Sequence, residues 1–454
     1  MITSLFANRD YLRLFTAQMT ALSGTGLTTV ALGLLAYDLA GAEAGAVLGT
    51  ALTIKMLVYV TVAPIVAAYA DRFPRRIFLV SLNAVRGAVV LALPFIDQIW
   101  HIYVLIAVLQ TASAAFTPTY QAVIPDILPD ERDYTRALSA AQLAATMETL
   151  LSPMLAAAAL TLISFHWLFV GTAIGFVISA VLVVATRIPD AGATTGGSFR
   201  QRIAVGMRIF AATPRLRGLL GLNLVVAAAG SVVMVNTVNY VRDTLGGSQT
   251  GVAVLLAANG FGTMVVALSL PGVLDRVGPR SVMLSGAAVL LTGLGAAVAL
   301  SNATDGQWRW LAAGAVWAMV GAGTAAVLTP TGQILRRSSQ PADRAALFAA
   351  QFSLSHLAWL LTYPIAGWLS TATGFTTTWL VLLGSAALGA TVALRSWPHN
   401  DPAEITHLHE IGTIDPARLT DAVRITDRLY QHTHPYVIDA AHQRWPRDSH
   451  ALAA

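Results

Sequence analysis

The sequence predicts an all-α integral membrane protein with twelve transmembrane helices in two six-helix halves. Three observations carry that prediction. Of 454 residues, 56% are hydrophobic and 11% charged, whereas a soluble domain is about 25% charged. Twelve apolar runs each reach the roughly 20 residues that cross a hydrocarbon core. Short sequence elements of the first six runs also return, in register, in the last six.

The runs lie at about 12–36, 44–70, 77–96, 99–124, 136–162, 165–187, 216–241, 248–271, 281–301, 308–333, 344–370 and 374–395. Their short connections imply antiparallel neighbours. The first run is too long for a signal-peptide core and lacks a cleavage site, so it reads as the first membrane helix. The N-terminus, the even-numbered loops and the end of the last run hold 19 arginines, against Arg242 and Arg309 in the odd-numbered loops. By the positive-inside rule both termini are expected in the cytoplasm.

Internal repetition divides the chain. "ADRFPRR" after the second run and "LDRVGPR" after the eighth share Asp-Arg-x-x-x-Arg: Asp71, Arg72 and Arg76 against Asp275, Arg276 and Arg280. "TPTYQ" (117–121) matches "TPTGQ" (329–333), and Gln142 and Pro153 match Gln351 and Pro364. The expected organisation is a first half over 1–187, a Gly/Thr/Ser-rich then basic cytoplasmic linker over 188–215, a second half over 216–395 and a cytoplasmic tail over 396–454.

Composition also excludes. The net charge of +5 falls in short arginine clusters between apolar runs, with no aromatic-interleaved basic patch for nucleic acid. The chain has no cysteine, hence no disulfide or thiolate chemistry. A GxxxxGK[ST] loop is absent, so ATP is not the direct driver. Too few acid, base and nucleophile groups share one depth for an intramembrane enzyme. No cofactor is expected.

Ionisable groups inside spans usually face protein or a wet cavity, because each costs about 2.5–3.5 kcal/mol at the helix centre. Lys55, the chain's one lysine, lies in the second run, Arg86 in the third and Glu148 in the fifth. Lys55 precedes Asp71 by 16 positions and Glu148 follows Arg136 by 12, which at 1.5 Å per residue is about 24 and about 18 Å from the same membrane face. A cavity-facing Lys55–Glu148 pair near the midplane is expected. Arg86 lies nearer the cytoplasmic end, where it can snorkel.

Twelve spans, a parallel 6+6 repeat and paired Asp-Arg-x-x-x-Arg loops resemble the major facilitator superfamily over about residues 8–395. "NRDYLRLF" (8–15) and "PTYQAVIPDILPDERDYTRALSAAQ" (118–142) resemble its exporter branch of transmembrane secretion effectors, which includes enterobactin-type siderophore exporters. "ETLLSPMLAA" (148–157) is similar to the antiporter signature of drug exporters. The resemblance implies secondary active export of a drug, siderophore or metabolite by alternating access. It further implies a proton as coupling ion, a bacterial inner-membrane location in the lipid bilayer, and a monomer. Lys55, Glu148 and Arg86 are then the candidate transport and coupling residues. The Asp71/Arg72/Arg76 and Asp275/Arg276/Arg280 loops become cytoplasmic latches. The first, fourth, seventh and tenth helices line the family's path, which makes Gln18, Gln110, Asn223, Asn236 and Asn239 cavity candidates. Two alternatives remain: a nutrient uptake permease, or a metal-responsive sensor using the tail.

In the tail, Asp415–Pro416 reads as a helix start, and Leu419, Ala422, Val423, Leu429 and Tyr430 as its apolar stripe. A second short helix is expected from Pro435 to Trp445. The pairs His407-Leu-His409 and His432-Thr-His434 have a spacing that can ligate zinc or nickel. Without thiolates or regular repetition they read as surface histidines, and no metal site is expected. The twelve-helix unit is expected to fold without the tail.

Overall fold

The computed structural model describes residues 5–69, 74–128, 133, 137, 140, 155–156, 158–188, 199–340, 343–401, 404–410, 423–426, 429–434, 436–438, 442 and 445–446. Its body is an all-α membrane bundle whose described helices fall into two halves. In the first half, α1 (Arg9–Ala40), α2 (Ala44–Tyr69), α3 (Arg75–Ala92), α4 (Ile99–Ile127) and α5 (Phe165–Val184) match five of the six expected runs. The remaining run, 136–162, lies mostly outside the described residues. The second part of the linker forms α6 (Phe199–Ala212), with Ile209 and Phe210 buried.

In the second half, α7 begins at Pro214–Ser231 and continues in helical turns to Thr244. It is followed by α8 (Gln249–Val277), α9 (Pro279–Ser301), α10 (Trp308–Leu328) and a short α11 (Thr331–Arg337). Then α12 (Arg344–Pro364) continues to Thr373, and α13 (Phe375–Ser396) ends the bundle. Among the described residues nine helical stretches are long and apolar enough to cross a membrane, the first, Arg9–Thr61, holding two expected spans. Exposed Val177, Val181, Leu268, Leu311 and Leu388 cover the outside; such a surface suits lipid, not water.

Local chemistry explains where these helices start and stop. Asn8 caps α1, its Oδ1 accepting from the amides of Asp10 and Tyr11 at 3.0 and 3.1 Å. Gly278, at φ 79°, closes α8, and Pro279 opens α9 in the next position. Pro364 lacks an amide donor, and the turn after it, Ile365–Leu369, widens to π geometry. The end of α7 does the same at Val232–Asn236 and Tyr240–Thr244.

Equivalent helix pairs pack alike in both halves. On α1 and α5, Thr172 Oγ1 donates to Gly24 O at 2.8 Å. The matching pair, α7 and α13, meets at Gly218, where a Cβ would lie 2.9 Å from that of Trp397. The repeated arginines do one job: Arg76 donates to Val184 O at the end of α5, and Arg280 donates to Trp397 O just past α13 at 3.1 and 3.3 Å. Each guanidinium satisfies a carbonyl at a helix C-terminus, where the dipole favours a cation.

The tail corrects the expectation of helices. Ile405–Glu410 (β1), Val423–Thr426 (β2) and Leu429–His434 (β3) form an antiparallel sheet in the order β1-β3-β2. Val423, Leu429 and Tyr430, expected on a helical stripe, lie in strands. Of the expected helix from Pro435 to Trp445, the described residues Tyr436–Ile438, His442 and Trp445 are not helical. The expected helix start at Asp415–Pro416 lies outside the described residues.

The tail is also docked against the bundle. Asp401 pairs with Arg215 Nη1 at 3.1 Å, where the two side chains are 10% and 3% exposed. Its other oxygen accepts from Trp397 Nε1 at 3.2 Å and lies 3.5 Å from Arg337 Nη1. Arg215 also donates to Ser338 Oγ, Arg337 O and Tyr436 O and lies over the Trp445 ring. A cation in the first turn of a helix opposes the dipole; the Asp401 carboxylate offsets that at α7.

Candidate functional site

Three spans of the first half converge on Lys55. Thr25, Thr28, Thr29 and Leu32 of α1, Leu52 and Lys55 of α2, Ile106, Leu109, Gln110 and Ser113 of α4, and Phe176 of α5 line a small recess. It is narrow, with room at its base for about one water molecule. Five of the eleven residues are apolar; the ammonium, the Gln110 amide and the Ser113 and threonine hydroxyls are the groups that can orient a ligand. Gln110 is 5% exposed, and among the described residues its Oε1 has no hydrogen-bond partner. A buried acceptor left unpaired costs about 1–3 kcal/mol, which a water or a ligand donor entering the recess would recover. Glu148, the expected partner of Lys55, lies outside the described residues.

Arg86 sits behind the recess. The snorkelling expected from sequence is corrected: Arg86 is 4% exposed. Its guanidinium lies 4.1 Å from the centroid of Phe116 and 4.6 Å from that of Phe176, and it donates to Asn83 Oδ1. Asn83 in turn donates to Ser179 Oγ at 3.0 Å. Ring faces stabilise a desolvated guanidinium, and Phe176 belongs to both Arg86 and the recess wall.

The other expected residues are scattered. Gln18, on α1, is half-buried, with no partner for its Oε1 among the described residues. Asn223 and Gln351 exchange amide hydrogen bonds at 3.2 and 3.3 Å between α7 and α12. Asn236 donates to Ala366 O at 2.8 Å and accepts from Trp379 Nε1 at 3.2 Å. Asp71 and Arg72 lie outside the described residues, and of Asp275 only the backbone, within α8, is described. Arg276 is exposed.

The end of the bundle away from the termini holds a seal between the halves that sequence reasoning missed. Tyr37 Oη donates to Asp243 Oδ1 at 2.6 Å. Asn239 donates to Ala42 O at 3.0 Å, in the turn between α1 and α2. Trp368 Nε1 donates to Thr50 Oγ1 at 2.9 Å. Gly45 and Gly49 of α2 meet Gly367: a Cβ on Gly49 would stand 2.8 Å from Gly367 Cα and 2.9 Å from Tyr363 O. The Gly-x-x-x-Gly spacing of 45 and 49 was a readable signal for close helix approach, but nothing local points to Gly367. Deeper, the Tyr59 ring stands 5.3 Å from His356 and 5.8 Å from Phe352. Among the described side chains no group of three His, Cys, Asp or Glu gathers to hold a metal.

Comparison with known proteins agrees with this architecture. Residues 14–235 and 219–425 both match the family model of the Major Facilitator Superfamily. An uncharacterized MFS-type transporter of Bacillus subtilis (strain 168), YfiS, is 25% identical over 124 residues, 27% of this chain and 30% of that protein. The match thus spans less than a third of that relative's length. The fold is similar to the crystal structure of the nucleoside transporter NupG, with TM-score 0.62 and 14% identity over 86% of this chain and 99% of that one. A bacterial homolog of the human lysosomal transporter Spinster, in an inward-facing and unoccupied conformation, has TM-score 0.61 and 15% identity over 86% and 98%. A POT family transporter in complex with 5-aminolevulinic acid has TM-score 0.61 and 14% identity over 86% and 96%. At these identities the likeness is one of fold.

Proposed function

We propose, since the chain belongs to the major facilitator superfamily, that it is a secondary active exporter of small organic molecules working by alternating access. The observation that carries the reading is the recess that gathers Lys55, Gln110, Ser113 and three threonines against an apolar side of Leu52, Leu109 and Phe176, beside helices whose far ends seal the halves together. Substrate enters between the halves, its polar group meets Lys55 and Gln110, and its apolar part meets Leu52, Leu109 and Phe176. The halves then rock about that site, breaking the Tyr37–Asp243 and Trp368–Thr50 bonds as the sealed end opens.

Export, rather than uptake, is favoured by the antiporter-like stretch "ETLLSPMLAA". A proton is the coupling ion, with Glu148 as its carrier, Lys55 as its partner and Arg86 holding the recess wall. Asp71, Arg72 and Arg76, with Asp275, Arg276 and Arg280, latch the cytoplasmic ends. The protein acts as a monomer in a bacterial inner membrane, both termini in the cytoplasm, as the arginine asymmetry supports.

The test is flux in reconstituted vesicles across a panel of organic anions, siderophores and antibiotics. An imposed proton gradient should drive at least one compound in the export direction. Lys55→Gln should reduce that flux, and Glu148→Gln should flatten its dependence on the gradient. Gradient-driven movement in the opposite sense would overturn export. Wild-type flux in both variants would remove the recess from the mechanism.

A further inference from the structure

Every described residue that lines the recess belongs to the first half. A ligand held by one half alone would bind equally well whether the far ends are sealed or open, and would shift nothing. Alternating access therefore needs a contact from the second half, and α12 presents one. One turn along α2 from Lys55, the Tyr59 ring stands 5.3 Å from that of His356 and 5.8 Å from that of Phe352. Lys55 itself lies within electrostatic reach of the His356 imidazole. These contacts join the halves at a second level. Tyr59 follows Gly49 by 10 positions and His356 precedes Gly367 by 11, which is about 15–17 Å along two helices that cross at those glycines.

The hydrogen bonding of His356 sets what it can recognise. Its Nδ1 donates to Phe352 O at 2.6 Å. A carbonyl oxygen only accepts, so Nδ1 is the nitrogen that carries the proton. In the neutral ring Nε2 is then an acceptor, and a ligand there must bring a donor. Lys55 has the opposite requirement: an ammonium only donates, so a ligand there must bring an acceptor or an anion. Ring surface adjoins both groups. Phe352 is 38% exposed, and its ring stands 4.0 Å from the imidazole. Exposed ring faces and edges favour a further aromatic partner.

We propose that His356 is a substrate-binding residue supplied by the second half, and that the substrate is an aromatic hydroxy acid. Its carboxylate meets Lys55, its hydroxyl donates to His356 Nε2, and its ring lies against Tyr59 and Phe352. The proposal rests on the recess at Lys55 being the transport site. A molecule held in this way touches both halves, so its affinity changes when they move. The probes are 3-hydroxybenzoate and 6-hydroxy-2-naphthoate, each beside its deoxy counterpart, benzoate or 2-naphthoate, on the purified full-length protein in lipid nanodiscs.

In calorimetric titrations each hydroxy acid should bind more tightly than its deoxy counterpart by roughly tenfold or more, because the deoxy compound leaves the imidazole acceptor unpaired. His356→Phe keeps a ring and loses the acceptor. It should abolish that preference and leave the affinity for benzoate little changed, whereas a merely structural role would weaken both compounds alike. On the wild-type protein, 3-hydroxybenzoate should protect His356 from acylation by diethylpyrocarbonate, read by mass spectrometry of the peptide that contains it. This readout stands even if the variant fails to fold. Lys55→Gln should weaken every carboxylate. If it weakens none, the recess is not the transport site and both readings fall. If Lys55→Gln weakens binding while the hydroxyl preference survives in His356→Phe, or is missing in the wild type, the proposal for His356 alone is overturned. Absence of saturable binding of both hydroxy acids, or of protection at His356, would overturn it as well.

Discussion

Gly49→Ala should unseal the end of the bundle away from the termini. The added methyl would stand 2.8 Å from Gly367 Cα, 2.9 Å from Tyr363 O and 3.3 Å from Gly367 N. Carbon atoms rest at about 3.5–4.0 Å, so α2 and α12 must part there by roughly 0.7–1.2 Å. All three opposing atoms are backbone, and no rotamer change can relieve them. Overpacking of this kind costs about 1–3 kcal/mol. The strain exists only while the two helices touch, so it shifts the balance between sealed and open forms by roughly 5–150-fold. Gly367→Ala meets Gly45 O at 2.6 Å and Gly49 Cα at 2.8 Å, relieves itself by the same motion, and should not add fully to the first change. Since the chain has no cysteine, Val238→Cys, at a 6% exposed position beside Gly33, can report opening by its rate of reaction with a membrane-impermeant maleimide. That rate should rise in Gly49→Ala and stay level in Gly384→Ala, whose Cβ meets nothing within 4 Å. An unchanged or slower rate in a folded Gly49→Ala protein would refute the reasoning.

Gln110→Leu should leave thermal stability within about 1 kcal/mol of wild type, because it removes an acceptor that lacks a partner, while transport falls; transport at the wild-type rate would exclude Gln110 from the path. Asp401→Ala should destabilise the protein by about 3–5 kcal/mol by orphaning buried Arg215, and Arg215→Leu with Asp401→Leu should recover much of that in thermal unfolding. A single change as stable as wild type would show that water replaces the carboxylate. Removing residues 400–454 should lower stability to a similar degree. A periplasm-active reporter fused after Pro398 should be silent and one near Ala372 active; the reverse would invert the proposed topology.

The spans were legible because a membrane crossing is a local property: length and apolarity suffice, and α1–α4 begin and end within a few residues of their expected limits. The pairing of Arg76 with Arg280 was legible as repetition but not as chemistry, since each guanidinium serves a carbonyl more than 100 positions away. Arg86 was misread because depth in a span was weighed without its neighbours; two phenylalanine rings and Asn83 make burial cheaper than snorkelling. The strands of the tail were misread because Val423, Leu429 and Tyr430 fit a helical stripe over a short window, whereas the pairing of β1 with β3 is a contact between distant positions that no local pattern announces. In the recess, Lys55 stood out by its charge. Gln110 shows its role only through its place in the recess beside Lys55, with no hydrogen-bond partner for its Oε1 among the described residues.

A transporter whose halves rock needs each half stiff and the contacts between them breakable, and the polar contacts divide that way. Arg215, Arg337 and Trp397, the bundle side chains that hold Asp401, all belong to the second half. They tie the start of α7, the end of α11 and the end of α13 into one block through a buried pair that resists separation by several kcal/mol. Arg76 and Arg280 likewise join helices of a single half. Between halves, Tyr37–Asp243 and Trp368–Thr50 are exposed hydrogen bonds, each worth about 0.5–1.5 kcal/mol net and replaceable by water as the end opens. The glycine crossing adds contact area with no side chain to disentangle. On this division the docked tail stiffens the moving body and leaves the contacts between the halves free, so Asp401→Ala should lower thermal stability without raising the Val238→Cys reaction rate. A rate that rose with it would instead make the tail part of the gate.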